Sequence, residues 1–111
     1  MERFVKGDVV VVPFPFTDLR ALKRRPAMVA AELSGRNTIL CQITSKIRTD
    51  NYSVMLLEKD FSIGKLPVMS IIRPDMIFTA DKSIVSYKIG SVNKAKAEEV
   101  EEKLVQMFRR S

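Results

Sequence analysis

The 111-residue chain has no histidine. That absence removes Ser-His-Asp triads, histidine-paired cysteine nucleophiles, histidine-based ribonucleases and most zinc sites. The single cysteine, Cys41, excludes an internal disulfide and a zinc ribbon. Its place inside the apolar run TILCQI marks it as a buried structural thiol in a reducing, cytoplasmic setting. Four scattered glycines build no phosphate-cradling loop. The first apolar run, VVVVPFPF, has eight residues and two prolines, far below the roughly 20 residues that span a bilayer. No secretion signal, membrane anchor, repeat or linker is expected, and no metal or cofactor.

What is present is an ordinary globular balance, 46% hydrophobic and 29% charged, with a formal net charge of +6. Residues 1–111 are read as one domain, long enough to bury a core without disulfides. The positive charge is unevenly placed. TDLRALKRR, residues 17–25, sets Arg20, Lys23, Arg24 and Arg25 against Asp18, so half of the excess lies in nine residues. Such a cluster points to an anionic partner.

DVVVVPFPF, residues 8–16, reads as a strand apolar on both faces, hence central, with Pro13 and Pro15 placing its end at an edge or bulge. Residues 17–25 read as a long loop. Strands follow at 26–33 and 37–44, joined by the turn SGRN with Gly35 at positive φ. Further strands are expected at about 52–58, 67–72 and 84–89, the last closed by Gly90, with a turn region at 60–66. RPDMIFTADKS, between the last two, reads as a bend at Pro74 followed by a short strand or a turn of helix. The one strong helix spans 94–110. Asn93 is its N-cap, and Ala97, Val100, Leu104, Met107 and Phe108 form its apolar stripe. Several short strands and one terminal helix describe a mainly β chain, a small bent barrel capped by the helix.

Two stretches carry the chemistry. In LKRRPAMV, Pro26 fixes the backbone beside Arg25, whose planar guanidinium suits phosphate. In CQITSK, Thr44 and Ser45 end a strand just before Lys46 and Arg48, and their hydroxyls suit phosphate oxygens or a ribose 2′-OH. Phe14 and Phe16 flank the basic segment, and one of them can stack on a base. Asp8, Asp18, Asp75 and Asp81 read as turn or strand-end residues rather than a glycosidase-type carboxylate pair, and RPD, residues 73–75, as an Arg-Pro bend with an Asp turn.

GDVVVVPFPFTD, then KRRPAMVA, then ILCQITSK, resembles the MazF/PemK family of toxin endoribonucleases. LPVMSIIRPDMIFTADKSIV and KIGSVNKAKAEEVEEKL are similar to that family's later strands and closing helix, so the likeness runs over roughly residues 6–108. The resemblance implies an SH3-like barrel that forms a homodimer and cleaves single-stranded mRNA without metal. The 2′-OH attacks the adjacent phosphate, leaving a 2′,3′-cyclic phosphate and a 5′-OH. It implies Arg25 and Thr44 as catalytic residues, the segment 17–24 as a loop over the RNA groove, and an acidic antitoxin as partner. Phe16, Arg20, Lys23, Arg24, Ser45, Lys46 and Arg48 are then the candidate RNA contacts. Arginine, with a pKa above about 12, is no base at neutral pH, so the general base is left unassigned. The readings set against this one are a non-catalytic nucleic-acid-binding barrel, an inactive relative, and a gyrase-poisoning toxin of the same fold. The end MFRRS does not resemble the apolar tail of the gyrase poisons.

Overall fold

The computed structural model describes residues 3–15 and 22–110. Seven strands, β1 (Asp8–Pro15), β2 (Leu22–Glu32), β3 (Asn37–Thr44), β4 (Val54–Leu56), β5 (Phe61–Ile63), β6 (Ser70–Asp81) and β7 (Tyr87–Val92), precede one helix, α1 (Lys94–Arg109). The strands form one antiparallel sheet in the order β4-β6-β3-β2-β1-β7-β5. Leu56 of β4 and Val92 of β7, far apart in that order, share one buried cluster with Ala97 and Val100 of α1. Only a curled sheet brings them together. The architecture is a half-barrel closed by the helix, with β4 and β5 at its edges.

The apolar run of β1 is central, as its composition requires. Val9 packs in the cluster beneath the helix, while Val10 and Val12 pack in a second cluster on the opposite face with Val29 and Leu40. β3 divides in the same way, with Cys41 and Ile43 under the helix and Leu40 behind. This is the two-residue alternation of a strand buried on both sides. Gly35 takes φ +88° in the turn between β2 and β3. Asn93 caps α1 by accepting from the Lys96 backbone N–H at 2.8 Å. The helix stripe is buried at Ala97 and Val100 and half-buried at Leu104, but Phe108 is 70% exposed.

Several sequence expectations need correction. Lys23, Arg24 and Arg25 are not in a loop. β2 starts at Leu22, and these residues pair with Phe14, Pro13 and Val12 of β1. β7 covers β1 only as far as Val11, so among the described residues the proline-bearing end of β1 has β2 as its partner and an edge on the other side. The expected strand over 52–58 is only Val54–Leu56, followed by a 3-10 turn at Glu58–Asp60, and the turn region at 60–66 contains β5. The strand at 67–72 and the ambiguous RPDMIFTAD are one strand, β6. Cys41 faces Ile77 while Gln42 faces Arg73, so Pro74, Asp75 and Met76 bulge out of the ladder, where a residue without an N–H costs nothing. The expected strand at 84–89 is shifted to Tyr87–Val92 by a 3-10 turn at Lys82–Ile84. Gly90 does not close it. A Cβ there would land on the Ile63 carbonyl of β5, so the glycine permits close approach of an edge strand.

Candidate functional site

β2 and β3 part company at Pro26. The β1–β2 ladder continues past it to Leu22, but the β2–β3 ladder begins only at Ala27, opposite Gln42. Proline has no N–H with which to extend a ladder. Beyond this point the two strands diverge, and a cavity of about 390 Å³ opens beside them. Strand alternation sets its wall. Arg25 lies two residues before Ala27, Thr44 two residues after Gln42, and Arg73 pairs with Gln42 across β6. These four side chains form a row across three neighbouring strands, and Ser45, Lys46 and Arg48 complete the wall.

The electrostatics are one-signed. Among the described residues the wall holds four cations and no carboxylate. The carboxylates beside it brace those cations. Asp75 accepts from Arg73 Nη2 at 2.8 Å and from Nε at 3.3 Å, a two-pronged contact that fixes the guanidinium plane. Arg48 Nε lies 3.7 Å from Asp50. Asp50 accepts the backbone N–H groups of Ser53 and Tyr52, and those bonds, Ser53 first, hold its carboxyl below the usual range. The segment after β3 is therefore tied down at its far end.

Thr44 Oγ1 accepts the Lys46 backbone N–H at 3.1 Å. This occupies a lone pair, orients the hydroxyl and leaves its hydrogen to donate. Arg25 is half-buried, whereas Arg24 and Lys23 are exposed. Arg24 lines a second cavity of about 270 Å³ that shares Arg25, Thr44 and Ser45 with the first. The remainder of that wall is largely apolar, including Ile43, Leu66, Pro67, Val68 and Tyr87. The two cavities thus make a charged chamber and an apolar one, meeting at Arg25 and Thr44. The arrangement suits a chain of alternating anionic groups and flat apolar rings.

Of the candidate residues, Arg25, Thr44, Ser45, Lys46 and Arg48 line the first cavity and Arg24 the second. Lys23 lines neither. Phe16 and Arg20 lie outside the described residues. Gln42, Arg73 and Tyr87 were missed by sequence reasoning. Gln42 carried a signal, as a polar residue in an apolar strand on the same face as Leu40. Arg73 was legible only as the start of a bend, and Tyr87 carried no signal. Cys41 is fully buried on the helix side, where burial first and the Asp75 charge second push its thiol up to about 12. It is a core residue, as expected. Among the described residues no helix is long and apolar enough to cross a membrane.

The model of a family described as PemK-like, MazF-like toxins of type II toxin-antitoxin systems matches residues 5–108. Among curated protein sequences none matches. Solved structures share the fold at low identity. A MazE-MazF crystal structure from Deinococcus radiodurans superposes with TM-score 0.77 at 20% identity, covering 99% of this chain and 100% of that one. An endoribonuclease in complex with its cognate antitoxin from a mycobacterial species superposes with TM-score 0.75 at 16% identity, covering 94% and 93%. The Mycobacterium tuberculosis toxin MazF-mt6 gives 0.73 at 16% identity, covering 94% and 98%.

Proposed function

This chain belongs to the PemK-like, MazF-like toxin family of type II toxin-antitoxin systems, and on that premise we propose that it is an endoribonuclease cutting single-stranded RNA without metal. The observation that carries the reading is the meeting of Arg25 and Thr44 where two strands diverge, between a cationic chamber and an apolar one. Similarity to an endoribonuclease held by its antitoxin supports it.

In the proposed reaction the ribose 2′-OH attacks the adjacent phosphorus and the bond to the 5′-oxygen breaks. The products are a 2′,3′-cyclic phosphate and a 5′-OH. Charge builds on the non-bridging oxygens during attack. Arg25, held on a paired strand, meets that charge, and the Thr44 hydroxyl donates to the phosphate or orients the 2′-OH. Arg73, braced by Asp75, supplies a second fixed guanidinium on the same row. Lys46 and Arg48 draw in the neighbouring phosphates, and Tyr87, 54% exposed at the apolar chamber, offers a ring face to a base. An acidic cognate antitoxin competes for the groove, the working form is a homodimer, and the site of action is the cytoplasm.

The test is cleavage of long mixed-sequence single-stranded RNA in excess EDTA, with Arg25→Ala in parallel. The wild type is expected to give fragments ending in cyclic phosphate. The variant should keep its circular dichroism spectrum and lose at least about 10²–10³ in rate. Near-wild-type cleavage by the folded variant removes Arg25 from the mechanism. RNA that is bound but left intact on several substrates makes the chain a binding barrel instead.

A further inference from the structure

Gln42 is only 6% exposed, yet its amide oxygen is buried with no hydrogen-bond partner among the described residues. Buried acceptors are nearly always satisfied, and leaving one unsatisfied is destabilising. The residue sits mid-strand, between Ala27 of β2 and Arg73 of β6, where an apolar side chain would continue the row begun by Leu40. It also lines the cationic cavity. The terminal amide torsion is soft and two-fold, so a small rotation presents the oxygen to that space. The other polar groups of the wall are mainly donors: four cations, and a Thr44 hydroxyl whose oxygen already accepts.

We propose that Gln42 is a specificity-determining residue, which accepts a hydrogen bond from the exocyclic amino group of one nucleobase beside the scissile phosphate. Adenine, cytosine and guanine carry such a group on an edge that an unstacked base exposes, and uracil does not. The cations hold the phosphate of any nucleotide and so cannot make this distinction. The inference rests on the ribonuclease reading for its substrate, but its physical basis is the orphaned acceptor.

The experiment uses a pool of single-stranded RNA randomised around the cut, sequenced after limited cleavage by the wild type, Gln42→Met and Gln42→Glu. Methionine keeps length and removes the acceptor, and glutamate keeps an acceptor. At one nucleotide position the wild type should disfavour uracil by about tenfold to a hundredfold. Gln42→Met should level that ratio at that position alone, and Gln42→Glu should retain it despite weaker RNA binding. The melting temperature of Gln42→Met should rise by about 4–8 °C, because a costly orphan is removed. A merely structural glutamine would lower it. Unchanged base preference in Gln42→Met, or an equal loss on every sequence, overturns the proposal while leaving the ribonuclease reading intact. If the wild type cuts nothing, the same pool is partitioned by binding. A uracil bias that Gln42→Met levels then supports Gln42 although the nuclease reading fails, and no such bias overturns it.

Discussion

The two ends of β3 lie on one face of one sheet and do opposite work. At the first end Leu40 is wholly buried with Val10, Val29 and Ala80, and the face is closed by packing. Two residues further on the same row turns polar, with Gln42, then Thr44, flanked by Arg25 and Arg73. Backbone geometry does not separate these ends, since Leu40, Gln42 and Thr44 belong to one regular strand. The difference comes from the neighbours. β2 stays paired along the apolar end and leaves at Pro26, and β6 stays in register there and bulges at Pro74. Two prolines, one on each of the strands that flank β3, interrupt the regular pairing near the same level, and the side chains brought together there are the cations and polar groups of the wall.

That contrast can be broken by exchanging roles. Leu40→Ala should lower stability by about 2–5 kcal/mol, read from denaturant midpoints, because it leaves a cavity in a closed cluster. It should leave the sequence preference of cleavage as it was. Thr44→Val, nearly the same shape, should do the reverse. The cleavage rate falls by about 10²-fold, whereas loss of the bond from Lys46 costs stability only about 0.5–1.5 kcal/mol. A Thr44→Val protein that unfolds easily but cuts normally would erase the distinction between the two ends.

The smallest effect sharpens the other comparison, between the two faces of β3. Cys41 points under the helix, with its thiol pushed up to about 12 by burial. An unfolded thiol ionises near about 8.5, so between these values the folded chain holds the extra proton. Stability from this residue is therefore complete below about pH 8.5 and declines as the pH rises, by about 1 kcal/mol at pH 9.5. Cys41→Ala should flatten that slope in urea titrations at pH 7.5 to 9.5. An unchanged slope would mean the thiol is not held away from water.

Much of this molecule was readable in advance where local rules decide. The unbroken apolar run of β1, the positive φ of Gly35, the Asn93 cap and the core place of Cys41 follow from short-range preferences. The reading was less good where pairing overrides local character. Lys23 to Arg25 look like loop because they are charged, but β1 offers them a partner. RPDMIF looks broken because of Pro74, but β3 holds it on either side of a bulge. Arg73 was thus hidden, and Gln42 was overlooked because one glutamine in an apolar strand attracts notice only when its amide oxygen is known to lack a partner among the described residues.

The sequence by itself determined the class of chemistry. With no histidine and one buried cysteine, charge on arginine and lysine and hydroxyls at strand ends were what was left. It also carried Arg25 before Pro26 and Thr44 before Ser45, the residues behind the family likeness. Only the tertiary structure decided that Arg25, Gln42, Thr44 and Arg73 stand in one row, with Tyr87 at the adjoining chamber. That row spans residues 25 to 73, and what aligns it is cross-strand register. Register is a property of paired strands and of the prolines that interrupt the pairing, and no local stretch of chain contains it.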